Sequence, residues 1–96
     1  MTAQPAAIDS FEALANPRRR AILALLTSSP MSLRQIANEL PITRQAVSGH
    51  LRFLSSAGLV DDEMAAKRRL YRLNHAGAVA VREYLEAVFG PDRRDA

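Results

Sequence analysis

The chain has no cysteine and no tryptophan, only 5% aromatic residues, and four glycines among 96 positions. Without cysteine, neither a disulfide framework nor a thiolate metal site can form. No apolar run approaches the roughly 20 residues that span a bilayer. Residues 1–10 lack the basic stretch and apolar core of a signal peptide. A soluble, cytoplasmic protein with no membrane partner is therefore expected. Glycine-rich phosphate loops, a nucleophile elbow and an acidic pair in an apolar setting are also missing. Ser48 and His50 stand two positions apart in a helical pattern and so do not face one another. Neither an enzyme nor a cofactor is expected.

What is present is an apolar fraction of 48%, 13 Lys and Arg against 10 Asp and Glu, and a net charge of +3. The length suits one domain, and at this size only about 60–65% of the unfolded surface can be buried. A chain so small and so apolar has reason to dimerise. The charge excess is too slight to identify a nucleic-acid partner by itself, so the placement of the basic residues matters more.

Residues 1–8 are small, polar and proline-containing, and read as a flexible N-terminus. Asp9 or Ser10 can cap a short helix carrying Phe11 and Leu14. Asn16-Pro17 ends it and starts a second helix that runs to Leu26, because Asn caps well and Pro suits the first helical position. Ser32 and Gln35 have the spacing of a capping box at the start of a third. A fourth runs from about Thr43 to Ala57, with Gly58 as its left-handed stop. Residues 59–73 have the length of two short strands around a turn near Ala65-Ala66. The last helix is expected from Asn74 to Phe89, followed by a charged tail over residues 90–96. The fold class is thus mainly α with a small two-stranded β-wing, in the order α-α-α-α-β-β-α, and residues 9–89 form the domain.

Within this order, residues 32–60 read as a helix-turn-helix, a device that lays its second helix into the DNA major groove. Val47, Leu51 and Leu54 make the inward stripe of that second helix. Arg44, Gln45, Ser48, Gly49 and Arg52 fall outside it and are polar or small. A polar face is also what any solvated helix presents, so the order of parts carries more weight than the face alone.

The runs Ala13-LANPRRRAILALL and Arg44-QAVSGHLRFLSSAGLV resemble the ArsR/SmtB family of small bacterial repressors, and the resemblance covers about residues 9–89. It implies a winged helix-turn-helix, a homodimer joined through the first and last helices, an imperfect palindromic operator in double-stranded DNA, and transcriptional repression. Many members carry Gly where this chain has Pro41. Pro cannot take a left-handed conformation, so the turn must be built differently here. Gly49, inside the recognition helix, costs roughly 0.5–1 kcal/mol relative to Ala. Close approach to DNA and neutral drift are equally good reasons for it. Metal sensors of the family use Cys on the third helix, or Asp, His and Glu on the last. The last helix here offers only His75, Glu83 and Glu86, which do not have ligand-like spacing, so no metal site is expected.

Thr43, Arg44 and Gln45 occupy the first turn of the recognition helix, where Arg can read guanine and Gln adenine. A phosphate contact by Arg44 and a solvated Gln45 is the alternative. Ser48 shares a face with Arg44 and Arg52, and Arg52 is placed to meet a phosphate. His50 matches the His of the family's run and serves either backbone positioning or helix packing. Lys67, Arg68 and Arg69 follow the hairpin turn as a basic wing, and cross-strand pairing with Asp61, Asp62 and Glu63 would neutralise part of it. Arg18, Arg19 and Arg20 stand in a first helical turn, where the macrodipole disfavours cations. They can hold acidic side chains or phosphates, and pairing with Glu or Asp in the dimer is the favoured use. Phe11 and Leu14 with Val81, Leu85 and Val88 form apolar stripes beyond the helix-turn-helix, and mark the expected dimer seam. The leading expectation is a metal-independent, homodimeric repressor of this type. A dimeric winged-helix protein-interaction module and a nonspecific DNA-architectural protein are the alternatives. Control by a small molecule, by a partner protein or by abundance alone is compatible with this sequence.

Overall fold

The computed structural model describes residues 9–90, so the N-terminal segment 1–8 and tail residues 91–96 lie outside the described residues. Five α-helices and a β-hairpin follow in order: α1 Ser10–Leu14, α2 Pro17–Leu25, α3 Leu33–Glu39, α4 Arg44–Ser56, β1 Val60–Ala65, β2 Arg68–Leu73 and α5 Val79–Phe89. Four helix starts are set by side chains that accept from otherwise unpaired backbone N–H groups. Asp9 accepts from Phe11, Asn16 from Arg18 and Arg19, and Thr43 from Ala46, while Ser32 and Gln35 complete the reciprocal capping box. Each such cap is worth about 1 kcal/mol. Of the two candidate caps for α1 it is Asp9 that serves. The Ser10 hydroxyl points elsewhere, within 3.2 Å of the Gly77 carbonyl and 3.4 Å of that of Ala57.

The core gathers residues from α1 to α4, β1 and the segments after α2 and α4: Ala13, Ile22, Leu26, Ile36, Val47, Leu51, Leu54, Leu59 and Val60. The inward stripe expected for α4 is buried almost completely. Burial of a side chain of this kind stabilises by about 1.5–3 kcal/mol. Between α3 and α4, Leu40 is extended at φ −124°, as a residue before proline must be. No described residue from 40 to 43 has positive φ, so the turn at Pro41 is built without a left-handed residue.

The hairpin pairs Val60 with Leu73 through to Ala65 with Arg68. Its two-residue turn is Ala66-Lys67, with φ of 51° and 69°, the pattern of a type I′ turn. Lys67 therefore sits in the turn itself rather than after it. Beyond the expected elements, Met31 forms an antiparallel bridge to Tyr71, with its N–H to the Tyr71 carbonyl at 3.0 Å and the reverse bond at 2.8 Å. This bridge ties the start of the helix-turn-helix to the wing.

The end of the chain differs from expectation. Asn74 caps a 3₁₀ turn over His75–Ala78, and only then does α5 begin. The tighter turn lies against the end of α4, where the Asn74 N–H bonds the Leu59 carbonyl at 2.9 Å. A Cβ built on Gly77 would lie 1.8 Å from the Gly58 carbonyl oxygen. Gly58 has the left-handed φ of 77° that ends α4, where a side chain would be strained. Gly77→Ala should therefore destabilise the fold by about 1–3 kcal/mol, because backbone must move. A Cβ on Gly49 meets nothing within 4 Å. Gly49→Ala should instead raise stability by about 0.5–1 kcal/mol. Urea unfolding of the two variants checks both signs.

Candidate nucleic-acid interface

The residues expected to meet DNA are carried by two elements, α4 with its cap and the wing. Thr43 caps α4 with its oxygen and keeps its hydroxyl proton for another partner, since Ala46 N–H takes only the acceptor side at 3.0 Å. Arg44 and Gln45 are exposed on the first turn, Ser48 is half-buried, and Gly49 and Arg52 are exposed. Ser48, Arg52 and Ser55 line a cleft of about 300 Å³ whose opposite wall carries Asp62 and Tyr71. The outward face of α4 and the wing thus border one concave, polar surface.

His50 does not join that face. It is half-buried beside α2, and burial, then the positive charges of Arg19 and Arg18, hold its imidazole below the usual value of 6.5. The packing role left open for this residue is the one its surroundings favour. Arg19 itself lies over the Phe53 ring, with its guanidinium carbon 3.9 Å from the centroid, a cation–π contact. Its Nε and a terminal nitrogen donate to the Ala13 and Glu12 carbonyls at 2.8 and 3.0 Å, and Arg20 donates to Leu14 O at 2.9 Å. Among the described residues, then, Arg19 and Arg20 bind no carboxylate. They satisfy the open carbonyl end of α1, where positive charge is favoured. Arg18 forms no ion pair among the described residues.

The wing is partly self-neutralised. Arg69 is paired with Asp62, and Arg72 with Glu63 at 3.1 Å, both diagonally across the hairpin. Asp61 accepts from the Asn74 amide at 3.2 Å. Lys67 and Arg68 are exposed and have no ion-pair partner among the described residues. Exposed pairs of this kind contribute only about 0–1 kcal/mol, too little to keep Arg69 from turning to a phosphate. Sequence reasoning overlooked Arg72, although its place two residues beyond the one opposite Glu63 follows once the register is known. It also overlooked Arg34, which is exposed at the start of α3.

The other expected surface lies on α1 and α5. Phe11, Leu85 and Val88 are exposed, as are Tyr84 and Phe89, which the sequence stripes left out; all are between 41% and 63% exposed. The Phe11 and Tyr84 rings meet edge to face with centroids 5.4 Å apart, joining the two helices into one apolar strip. Leu14 and Val81 behave differently: both are half-buried and line a hollow of about 400 Å³ between α2 and α5. No residue of α5 is buried. His75, Glu83 and Glu86 are exposed, and among the described residues no three His, Cys, Asp or Glu side chains are grouped to hold a metal ion. No helix among them is long and apolar enough to cross a membrane.

Residues 16–62 match the model of the bacterial regulatory proteins of the arsR family. The HTH-type transcriptional regulator Rv2034 of Mycobacterium tuberculosis is 42% identical over 77 residues, which cover 80% of this chain and 72% of that one. The chain belongs to the ArsR family. It is accordingly a DNA-binding transcriptional regulator of winged-helix fold and not an enzyme. The transcriptional repressor SdpR of Bacillus subtilis is 34% identical over 64 residues, covering 67% of this chain and 71% of that one. Among solved structures, the homodimeric winged helix-turn-helix DNA-binding domain Mb0332 of Mycobacterium bovis superimposes with a TM-score of 0.64 at 28% identity, over 82% of this chain and 78% of that one.

The surroundings of His50 give a pH dependence with a definite sign. The folded imidazole titrates below 6.5 and the unfolded one near it, so in between the unfolded chain binds more protons. Stability should fall as pH drops below 6.5 and be unaffected by this group above it. The urea midpoint should therefore drop further between pH 7.5 and 5.5 for the wild type than for His50→Gln. Equal drops would show that His50 does not couple to folding.

Proposed function

We propose that this ArsR-family regulator acts as a homodimeric repressor. It would bind an inverted-repeat operator with α4 in the major groove and the wing on the flanking backbone. The observation that carries the dimer is the uncovered strip of α1 and α5. An 11-residue helix with no buried residue is marginal alone in water, and a second copy presents the same strip about a two-fold axis. The homodimeric Mycobacterium bovis domain supports this assembly. The repressor SdpR supports the direction of control. Two symmetric recognition helices then call for half-sites whose centres lie about one or two helical turns apart.

In this reading Arg44 and Gln45 face base edges, Thr43, Ser48 and Arg52 meet the backbone around them, and Gly49 lets it come near. Lys67, Arg68 and Arg69 hold phosphates from the wing. Selection of bound fragments from genomic DNA tests the whole: an enriched inverted repeat supports it, whereas scattered fragments would indicate an architectural protein. A reporter silenced through that repeat identifies a repressor, and one switched on identifies an activator.

Two variants probe the parts. Leu85→Glu should place a charge in the strip, give a monomer by light scattering, and bind operator poorly. A wild-type monomer at micromolar concentration would remove the basis for the dimer. Arg44→Ala or Gln45→Ala should cost about 1–3 kcal/mol on the operator and relax preference at one position per half-site. Lys67→Ala should weaken matched and scrambled DNA alike. The reverse pattern in a binding assay would exchange the roles of helix and wing.

A further inference from the structure

The start of α3 and the wing enclose a second basic feature, separate from the outward face of α4. Ser32, Leu33, Arg34, Arg68 and Arg69 line a cleft of about 510 Å³. Three arginines thus border one hollow, and among the described residues no carboxylate lines it. Arg69 is bound to Asp62. Arg34 and Arg68 are exposed and have no ion-pair partner among the described residues. We propose that this cleft seats one DNA backbone phosphate, gripped from the α3 side by Arg34 and from the wing side by Arg68.

The Met31–Tyr71 bridge is what makes the cleft a built feature rather than a chance meeting of long side chains. Its two hydrogen bonds, at 3.0 and 2.8 Å, set the chain entering α3 antiparallel to β2. Three residues beyond Met31 comes Arg34, and three residues before Tyr71 comes Arg68, so the same register brings both arginines to one end of the pairing. Neither side can drift from the other without breaking the bridge. Arg34 does nothing for its own helix, since a cation in a first turn is disfavoured. Two like charges held over one hollow are unfavourable until an anion enters between them. The planar donor fork of Arg matches a phosphate in two hydrogen bonds, which a Lys point charge would not.

The occupant follows from what the domain binds. The first helix of a helix-turn-helix crosses the DNA backbone while the second enters the groove. A phosphate is therefore the anion that reaches the start of α3 when α4 is docked. The inference rests on the proposed docking of α4 and adds Arg34, and with it a contact that carries no base information. It would fix how far the wing stands from the groove.

Operator binding across a salt series decides, using Arg34→Ala, Arg68→Ala, the double variant and Arg82→Ala. The last removes the same charge from exposed α5. Each of the first two should weaken matched and scrambled DNA by the same factor. The double variant should flatten the log–log salt slope by about 1.8 per dimer, one phosphate at roughly 0.9 in each protomer. Arg82→Ala should leave the slope unchanged. If Arg34→Ala behaves like Arg82→Ala while Arg44→Ala still loses operator preference, the clamp is wrong and the docking of α4 stands. A change of base preference in Arg34→Ala would also overturn it, by making Arg34 a reader. If wild type binds no DNA, both the clamp and the docking fall.

Discussion

A helix that reads DNA must be anchored by one side so that the other can be offered rigidly, and in α4 this division depends on three residues. Val47, Leu51 and Leu54 are buried in the core with Ile22 and Ile36. At about 1.5–3 kcal/mol each, they outweigh the cost of Gly49 in the same helix. With the roll of the helix so determined, Arg44, Ser48 and Arg52 have to point away from the core. The capping oxygen of Thr43 settles where the helix begins, and hence which side chains occupy the first turn. A change that unseats this stripe would therefore disturb every outward contact at once.

Charge placement is organised by a second constraint, that exposed cations are cheap to bind and cheap to release. The chain has several arginines, but they do unlike things. Arg19 and Arg20 close the carbonyl end of α1, and Arg19 also covers Phe53. Arg69 and Arg72 are held across the hairpin by acidic residues. What is left without an ion pair near the helix-turn-helix and wing is a smaller set, Arg34, Arg44, Arg52, Lys67 and Arg68 among the described residues. A count of basic residues would overstate the electrostatic reach of the surface.

The apolar strip on α1 and α5 is the counterpart of this polar surface. Phe11 and Tyr84 pack edge to face, yet both remain partly exposed. Ser10 and Gly77 tie α1 and the 3₁₀ turn to the end of α4. A partner held on the strip would therefore be referred, through these backbone contacts, to α4. The spacing of two half-sites would then be inherited from the packing of α1 and α5.

Much of this was legible without coordinates, because it depends on local chemistry. Capping residues, proline and glycine punctuation and the apolar period of α4 act within a few positions of themselves, so the order of helices and hairpin and the buried side of α4 could be read directly. The exposed polar positions of α4 followed from the same period. What could not be read depends on contacts between distant segments. The 3₁₀ turn packs Gly77 against Gly58, a contact that no local pattern announces. The bridge from Met31 to Tyr71 has no pattern in either segment alone. The pairing of Arg69 and Arg72 awaited the hairpin register, and the use of Arg19 and Arg20 awaited the position of α1. Local pattern alone is enough to say which side of α4 is turned outward and what chemistry it carries. The tertiary structure decided which of the cations remain unpaired and which of them share a cleft, because charges so far apart along the chain are brought together only by packing.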